Sequence, residues 1–274
     1  MRFAYLGSGS KGNACVIEAG RTRVLLDCGF SIKETVRRLA RLALEPRDLT
    51  AIMVTHEHSD HIAGVGGLAR RYDLPVYMTP GTHASNKAGE LPVLHLVNSH
   101  SRFELGELAV QPVPVPHDAK EPCQYVFSHQ GLRLGILTDV GHITPFIERH
   151  YARCDALVVE CNHDREMLHT GPYPPRLKQR VGGQYGHLNN EQAATLLRTV
   201  DFRRLKMVMA VHISEKNNCV HRVRRALESV LPQPAPHVEL ADQNDGTPWW
   251  CLRTLAQSPP NSIELASPQV EHSC

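Results

Sequence analysis

The sequence has little that would mark a secreted, membrane or strongly charged protein. Its eight cysteines stand singly, and the absence of any Cys-x-x-Cys pair argues against a structural zinc ribbon. No apolar run approaches the ~20 residues that cross a bilayer. The apolar start ends at Leu6 and does not resemble a signal peptide. With Cys15, Cys28 and Cys161 in apolar segments, we expect reduced thiols and a cytoplasmic protein without membrane contact.

The formal net charge is only +2, so a nucleic-acid partner would have to be bound by a local basic patch. Hydrophobic residues make up 42% of the 274 residues, enough for a sizeable core. No internal repeat and no long linker is evident. We therefore expect one domain over residues 1–255 and a polar, disordered tail over residues 256–274. The oligomeric state is left open.

Strand-rich stretches are followed by helices twice along the chain. Strands are predicted over 2–6, 14–18, 22–27, 49–54, 75–78, 108–115, 125–128, 132–138, 156–160 and 206–211. Helices are predicted over 32–42, 64–72, 189–200 and 218–231. Ser31 with Glu34 would form a capping box, and Asn189 or Asn190 would cap the third helix. This order predicts an α/β fold, specifically a four-layer αββα sandwich.

The most informative segment is Thr55-His56-Glu57-His58-Ser59-Asp60-His61, which follows a buried strand. On a tight loop, His56 and His58 can bind one metal ion while Asp60 and His61 reach a second. Imidazole and carboxylate groups suit zinc, manganese or iron. The alternative is a polar loop in which Asp60 caps the next helix, but a cap does not explain three histidines and an aspartate in six residues.

Three further ligand-type residues stand at the ends of predicted strands, namely His117, Asp139 and His212. Taken alone, each is more often a capping or surface residue. Together with the run at 56–61 they complete two coordination spheres, so we expect a centre of two divalent metal ions, zinc or manganese.

These motifs resemble those of the metallo-β-lactamase superfamily, from Asp27-Cys28-Gly29 to His212, over roughly residues 1–250. The resemblance implies that His56, His58 and His117 hold one metal, that Asp60, His61 and His212 hold the other, and that Asp139 bridges them. Asp27 would orient a ligand histidine. The stretches 7–13, 116–119 and 211–218 narrow the resemblance to the YycJ (WalJ) group, which implies a 5′–3′ exonuclease on double-stranded DNA.

Such a centre implies a metal-bridging hydroxide as the nucleophile, with Asp60 accepting its proton. Glu160 ends a strand and His187 precedes a capped helix, as in the tRNA-processing endonucleases of the superfamily. By that resemblance His187 is the general acid and Glu160 its orienting partner. The alternative is that His187 only precedes a helix while Glu160 makes a structural ion pair.

Residues that could bind a substrate phosphate are indicated less strongly than the metal ligands. The turn at 7–13, with Ser10 and Asn13, could bind phosphate or simply join two strands. Arg176, Lys178 and Arg180 stand in a Pro- and Gly-flanked stretch that could be a mobile loop, and Lys216 lies just beyond His212. These basic residues could track a nucleic-acid backbone or form a solvated surface.

Two other functions compete with the nuclease. A thioester or ester hydrolase of the glyoxalase II kind shares the seven ligands, but it carries a C-terminal helical extension and gives no role to His187 and Glu160. A non-catalytic binding module would be expected to have lost ligands, and none is missing here. Asp139 and His212 are 73 positions apart, which leaves no room for the inserted domain of the RNA-processing β-CASP nucleases.

Overall fold

The computed structural model describes residues 1–257. The predicted domain boundary at residue 255 falls within its last helix, and residues 258–274 of the predicted tail lie outside the described residues. No helix in the described part of the chain is long and apolar enough to cross a membrane.

The strands of residues 1–257 are mostly short, and nearly all of their side chains in the sheet centres are buried. They are β1 Arg2–Gly7, β2 Ala14–Ala19, β3 Thr22–Leu26, β4 Ala51–Met53, β5 Val76–Met78, β6 Leu94–Leu96, β7 Phe103–Leu105, β8 Leu108–Pro114, β9 Cys123–His129, β10 Leu132–Leu137, β11 Ala156–Glu160, β12 Met207–Val211, β13 His237–Leu240 and β14 Trp250–Cys251.

The helices of the same residues are four to ten residues long. They are α1 Ile32–Arg41, α2 Ser59–Ile62, α3 Val65–Tyr72, α4 Pro80–His83, α5 Pro145–Tyr151, α6 Arg165–Thr170, α7 Pro175–Val181, α8 Asn190–Leu197, α9 Val220–Glu228 and α10 Leu252–Gln257, with a 3-10 turn at Pro46–Asp48.

The strands form two seven-stranded mixed sheets. The first has the order β14-β1-β2-β3-β4-β5-β6, and the second has the order β13-β12-β11-β10-β9-β8-β7. In each sheet, three antiparallel pairs at one side give way to three parallel pairs at the other. The two halves thus share a topology that leaves no visible repeat in the sequence.

Three hydrophobic clusters show how the layers stack. Phe3, Ile17 and Tyr125 belong to the cluster between the two sheets. The outer face of the first sheet packs against helices α1 and α3, where Leu39 and Leu68 are fully buried. A third cluster joins the outer face of the second sheet to α5, α8 and α9. This is the predicted four-layer αββα sandwich.

The alternation of apolar residues located the central strands and helices, and the structure corrects the predicted ends of several of them. Asn189 caps α8 and forms a capping box with Gln192. Ser31 caps α1 as predicted, but Glu34 does not complete the box, because its carboxylate binds Arg37 and Arg38 instead. The predicted mobile loop around Arg176, Lys178 and Arg180 is helix α7.

Sharp turns follow several strands where the two sheets meet solvent at one end. Asp27, Asp139 and His212, which follow β3, β10 and β12, all adopt left-handed backbone with φ of 54° to 61°. Non-glycine residues pay of order 1–2 kcal/mol for this conformation, and such residues concentrate at functional sites. The residues that follow these strands in the two sheets meet at a single edge of the sandwich.

Candidate metal centre and active site

The seven residues predicted as metal ligands converge at this edge, and each half of the fold supplies part of them. The run from His56 to His61 leaves β4 of the first sheet and enters α2. His117 follows β8, Asp139 follows β10 and His212 follows β12 of the second sheet. Strands β10, β11 and β12 run parallel, so Asp139 and His212 follow strands that end at the same side of the second sheet.

His56, His58 and His117 form one group in which the candidate ligand atoms all lie within 4.8 Å of one another. Nδ1 of His58 is 3.2 Å from Nε2 of His117. The remaining nitrogen of His117, Nδ1, faces the backbone oxygen of Gly186 at 3.0 Å. That contact leaves Nε2 of His117 directed toward the two other histidines.

Asp60, His61 and His212 form a second group within the same distance limit. Oδ2 of Asp60 lies 3.4 Å from Nε2 of His61 and 3.6 Å from Nε2 of His212. Asp139 stands between the groups, with Oδ2 3.2 Å from Nε2 of His61 and Oδ1 3.9 Å from Nε2 of His117. Oδ1 of Asp139 is also 3.2 Å from Nδ1 of His212. The carboxylate of Asp139 therefore contacts residues of both groups.

The donors fit divalent metal ions. Nε2 of His56 is buried and has no hydrogen-bond partner, an arrangement that is costly unless a ligand completes it. Burial lowers the pKa of His56 well below its ordinary value, and His61 adds to the effect, so the ring is neutral as a metal requires. Burial acts to raise the pKa of Asp60, but hydrogen bonds with His212 and His61 outweigh it and hold the carboxyl ionised.

Asp27 and Thr55 hold the first sheet's histidines in place. Asp27 Oδ2 lies 2.8 Å from Nδ1 of His61 and accepts a 2.8 Å hydrogen bond from the Thr55 hydroxyl. Oγ1 of Thr55 is also 3.0 Å from Nδ1 of His56. Asp27 thus contacts a histidine of the cluster, as predicted. The role of Thr55 was not predicted, and only its place directly before His56 hints at it.

Glu160 contacts two histidines at once. Its Oε1 lies 2.9 Å from Nδ1 of His187 and 2.9 Å from Nδ1 of His212, and its Oε2 accepts the backbone N–H of Leu188. The side chain is completely buried. The structure therefore brings His187 and Glu160 together as predicted, and it adds a contact to His212 that sequence reasoning missed.

The turn at 7–13 faces the cluster from the side. Nδ2 of Asn13 donates to Oδ2 of Asp60 at 3.2 Å, and Oγ of Ser8 accepts the backbone N–H of His212 at 2.9 Å. Ser8 in turn donates to Oδ1 of Asn13. Asn13 is buried and its amide contacts Asp60, which supports the alternative that the turn joins two strands, and its phosphate contact stays a prediction. Ser10 is exposed and lines the site, where its phosphate contact stays a prediction.

A cavity of about 330 Å³ opens in front of the cluster. His58, Asp60, Asp139, His187 and His212 of the cluster and its surroundings line it. The walls come from Ser10 and Lys87 on one half of the molecule and from Tyr173, Leu177, Arg180 and Ser214 on the other. Such a volume accommodates a group the size of one nucleotide, at the lower end of the range for small-molecule sites.

A four-layer αββα sandwich with a His- and Asp-rich cluster at one edge defines a class of metal-binding hydrolase fold. Residues 22–213 match the family model described as the beta-lactamase superfamily domain. The structure also resembles the metallo-β-lactamase fold protein YhfI from Bacillus subtilis, with a TM-score of 0.71 and 15% identity over 91% of this chain and 98% of that one. That similarity shows the fold.

Closer sequence relatives narrow the assignment. The chain is 35% identical over 239 residues to exodeoxyribonuclease YycJ of Bacillus anthracis, a match that covers 85% of this chain and 90% of that protein. Exodeoxyribonuclease WalJ of Streptococcus pneumoniae serotype 2 (strain D39 / NCTC 7466) is 34% identical over 241 residues, covering 85% and 88%. The chain belongs to the YycJ/WalJ family of the metallo-β-lactamase superfamily, which confirms the predicted family and fold.

Proposed function

We propose that this protein is a dinuclear metal-dependent nuclease, a 5′–3′ exonuclease that acts on double-stranded DNA. One observation carries the proposal beyond a generic hydrolase: His187, held by the buried Glu160, lines the same cavity as the cluster of candidate metal ligands. The sequence similarity to two exodeoxyribonucleases supports the choice of DNA.

In this proposal His56, His58 and His117 hold one divalent ion, and Asp60, His61 and His212 hold the second, with Asp139 between them. The nitrogen and oxygen donors suit zinc or manganese. When bound, two such ions polarise the phosphodiester and lower the pKa of water toward neutrality. The contacts of Asp27, Thr55 and Asn13 keep the donors oriented, as the partners of metal ligands do in other centres.

The protein's own groups then move the protons. Asp60 is an ionised carboxylate beside the cavity, and it accepts the proton of the attacking water. His187 uses Nδ1 for Glu160, which leaves Nε2 to donate a proton to the departing oxygen of the substrate. The buried carboxylate of Glu160 fixes the orientation of the His187 ring.

A thioester hydrolase of the glyoxalase II kind is the competing function. It is not favoured, because His187 and Glu160 have no role in that reaction. The decisive experiment assays the purified protein with Mn²⁺ or Zn²⁺ on end-labelled duplex DNA, the same sequence as RNA, and S-lactoylglutathione. We expect nucleotides to be released from the 5′ end of DNA.

Each other result of that assay has a meaning. Turnover of the thioester without release of nucleotides would overturn the nuclease. Preferential release from RNA would keep the reaction and replace the substrate. Label released from internal positions first would replace an exonuclease by an endonuclease.

We also propose that residues 1–255 form the catalytic unit and that the protein acts in the cytoplasm. In support of the compartment, Cys15, Cys28 and Cys161 are free thiols buried in the core. Fractionation of cells with an antibody against the protein tests the location.

A further inference from the structure

One wall of the cavity belongs to a short segment that the proposed chemistry does not use. Residues 171–186, which we name the strap, connect α6 to His187 and contain α7. No residue of α7 is buried. The strap nevertheless faces the site, because Tyr173, Leu177, Arg180 and Val181 all line the cavity.

Tyr173 stands out within the strap. The residue is half-buried, belongs to none of the three hydrophobic clusters, and borders the same cavity as Asp139 and His187. Three prolines at 172, 174 and 175 restrict the backbone on both sides of it. In the described part of the chain, no other aromatic ring stacks on Tyr173; the ammonium of Lys216 lies 6.0 Å from its ring centre. An aromatic residue on a stiff backbone therefore borders the cavity.

The charges around this ring complement a phosphate-bearing ligand. Lys87 lines the same cavity, and Lys216 lies beside Tyr173. Neither lysine forms an ion pair with a carboxylate within residues 1–257, and both are exposed. Arg180 binds Asp118 through a 2.6 Å ion pair at the rim. Cations beside an aromatic platform are the usual means by which proteins hold single nucleotides of a strand.

We infer that Tyr173 is the stacking platform for the base of the nucleotide whose phosphate sits at the metal cluster. This inference rests on the proposed nuclease function and specifies its substrate contact. The strap would then be the element that makes the protein bind a nucleotide more tightly than a sugar phosphate without a base. The size of the cavity fits one such nucleotide, so the base enters unpaired from the end of the strand.

The test compares two ligands that share a phosphate and differ in the base, namely 2′-deoxyadenosine 5′-monophosphate and 2-deoxyribose 5-phosphate. Their binding to the full-length, metal-loaded protein is measured by calorimetry. The wild type should prefer the nucleotide by about 5- to 100-fold, the effect of one base stacked on an aromatic side chain. Tyr173→Phe should keep this preference and Tyr173→Ala should abolish it, while deoxyribose phosphate binds all variants equally.

Tyr185→Ala provides a matched control, because Tyr185 lies on the same strap, is 60% exposed and does not line the cavity. It should bind both ligands like the wild type. Equal binding of the two ligands by the wild type, or an undiminished preference in Tyr173→Ala, overturns the inference. If Tyr185→Ala loses the preference for the nucleotide to the same extent, the inference is also overturned, since the loss would then not be specific to the ring of Tyr173. These readouts need no turnover, so failure of the DNA assay would overturn the proposed function separately.

Discussion

At the scale of single residues, the chemistry of the site depends on which nitrogen of each histidine is already engaged. Nδ1 of His61 faces Asp27, Nδ1 of His56 faces Thr55, and Nδ1 of His117 faces a backbone oxygen. Each contact leaves Nε2 for the centre of the cluster. Partners of this kind set the orientation and basicity of metal-binding histidines.

Replacing His187 by Ala separates proton donation from metal binding. We expect the rate of DNA cleavage to fall about 10²- to 10⁴-fold, because the leaving oxygen loses its proton donor. The metal content per chain, measured by elemental analysis, should not change. His142→Ala is a suitable control, since that histidine also contacts the strap but does not line the cavity. Loss of metal from His187→Ala would instead identify His187 as a ligand.

Asn13 provides a second prediction, because its amide is the group that restrains Asp60 from the side. In Asn13→Ala the carboxylate of Asp60 loses this hydrogen bond and keeps only its contacts with His61 and His212. We expect about a 10- to 100-fold loss of affinity for the more weakly held metal, as seen when such supporting contacts are removed. Metal titration monitored by activity and by calorimetry gives the affinity. Lys11→Ala, on the same turn with an exposed side chain, should behave like the wild type.

At the scale of elements, helix α1 is attached to the sheet through charged side chains. The buried Arg38 donates to the backbone oxygens of Leu6 and Gln243, stacks on Phe30, and is paired with Glu34. The hydrogen bond from Arg37, together with Arg38, lowers the pKa of Glu34 to about 2. The helix therefore depends on a carboxylate that stays ionised far into the acid range.

This attachment should weaken in acid with a defined sign. The pKa of Glu34 is lower in the folded protein than its ordinary 4.5, so its stabilisation is complete above pH 4.5 and is lost as the pH falls toward about 2. At pH 7, Glu34→Gln should be less stable than the wild type by about 0.5–1 kcal/mol. Urea unfolding at several pH values should show this difference shrinking below pH 4.5.

The control is Glu90→Gln, an exposed carboxylate with no ion-pair partner in residues 1–257. That change should leave the stability unaltered at every pH. A difference between Glu34→Gln and the wild type that stays constant down to pH 2.5 would contradict the assigned pairing.

At the scale of the whole molecule, the candidate metal ligands connect the two halves of the fold. His56 and His61 come from the first sheet, whereas His117, Asp139 and His212 come from the second. An ion shared between them would act as a cross-link that exists only in the folded state. Metal binding should therefore contribute directly to global stability.

Removal of the metals should lower the unfolding temperature of the entire protein. At a free metal concentration 1,000 times the dissociation constant, binding contributes about 4 kcal/mol. Differential scanning calorimetry before and after treatment with a chelator measures the effect, and added Zn²⁺ or Mn²⁺ should reverse it. A double variant, His58→Ala with His61→Ala, should respond little to the chelator. An unchanged unfolding temperature in protein shown to be metal-free would refute the cross-link.

Much of this molecule could be predicted without coordinates. The alternation of apolar residues locates β1 to β3, the buried β12 and helix α8 with its Asn189 cap, because side-chain periodicity follows the local backbone geometry. The dense run from His56 to His61 identifies the site, since local spacing alone brings its donors together. The short edge strands β6, β7, β13 and β14 escaped prediction, because pairing with a neighbour rather than local composition defines them.

Only the tertiary structure showed which residues far apart in the sequence are in contact. Asn13 reads from its glycine-rich surroundings as a phosphate contact, yet folding buries it against Asp60, 47 positions away. Glu160 contacts His212 as well as His187 only because β11 and β12 are parallel neighbours. The sequence by itself determined the donor atoms and the family. The packing of the two sheets against each other determined which donors lie close together. This packing depends on the whole fold, because it brings together strands that are far apart in the chain.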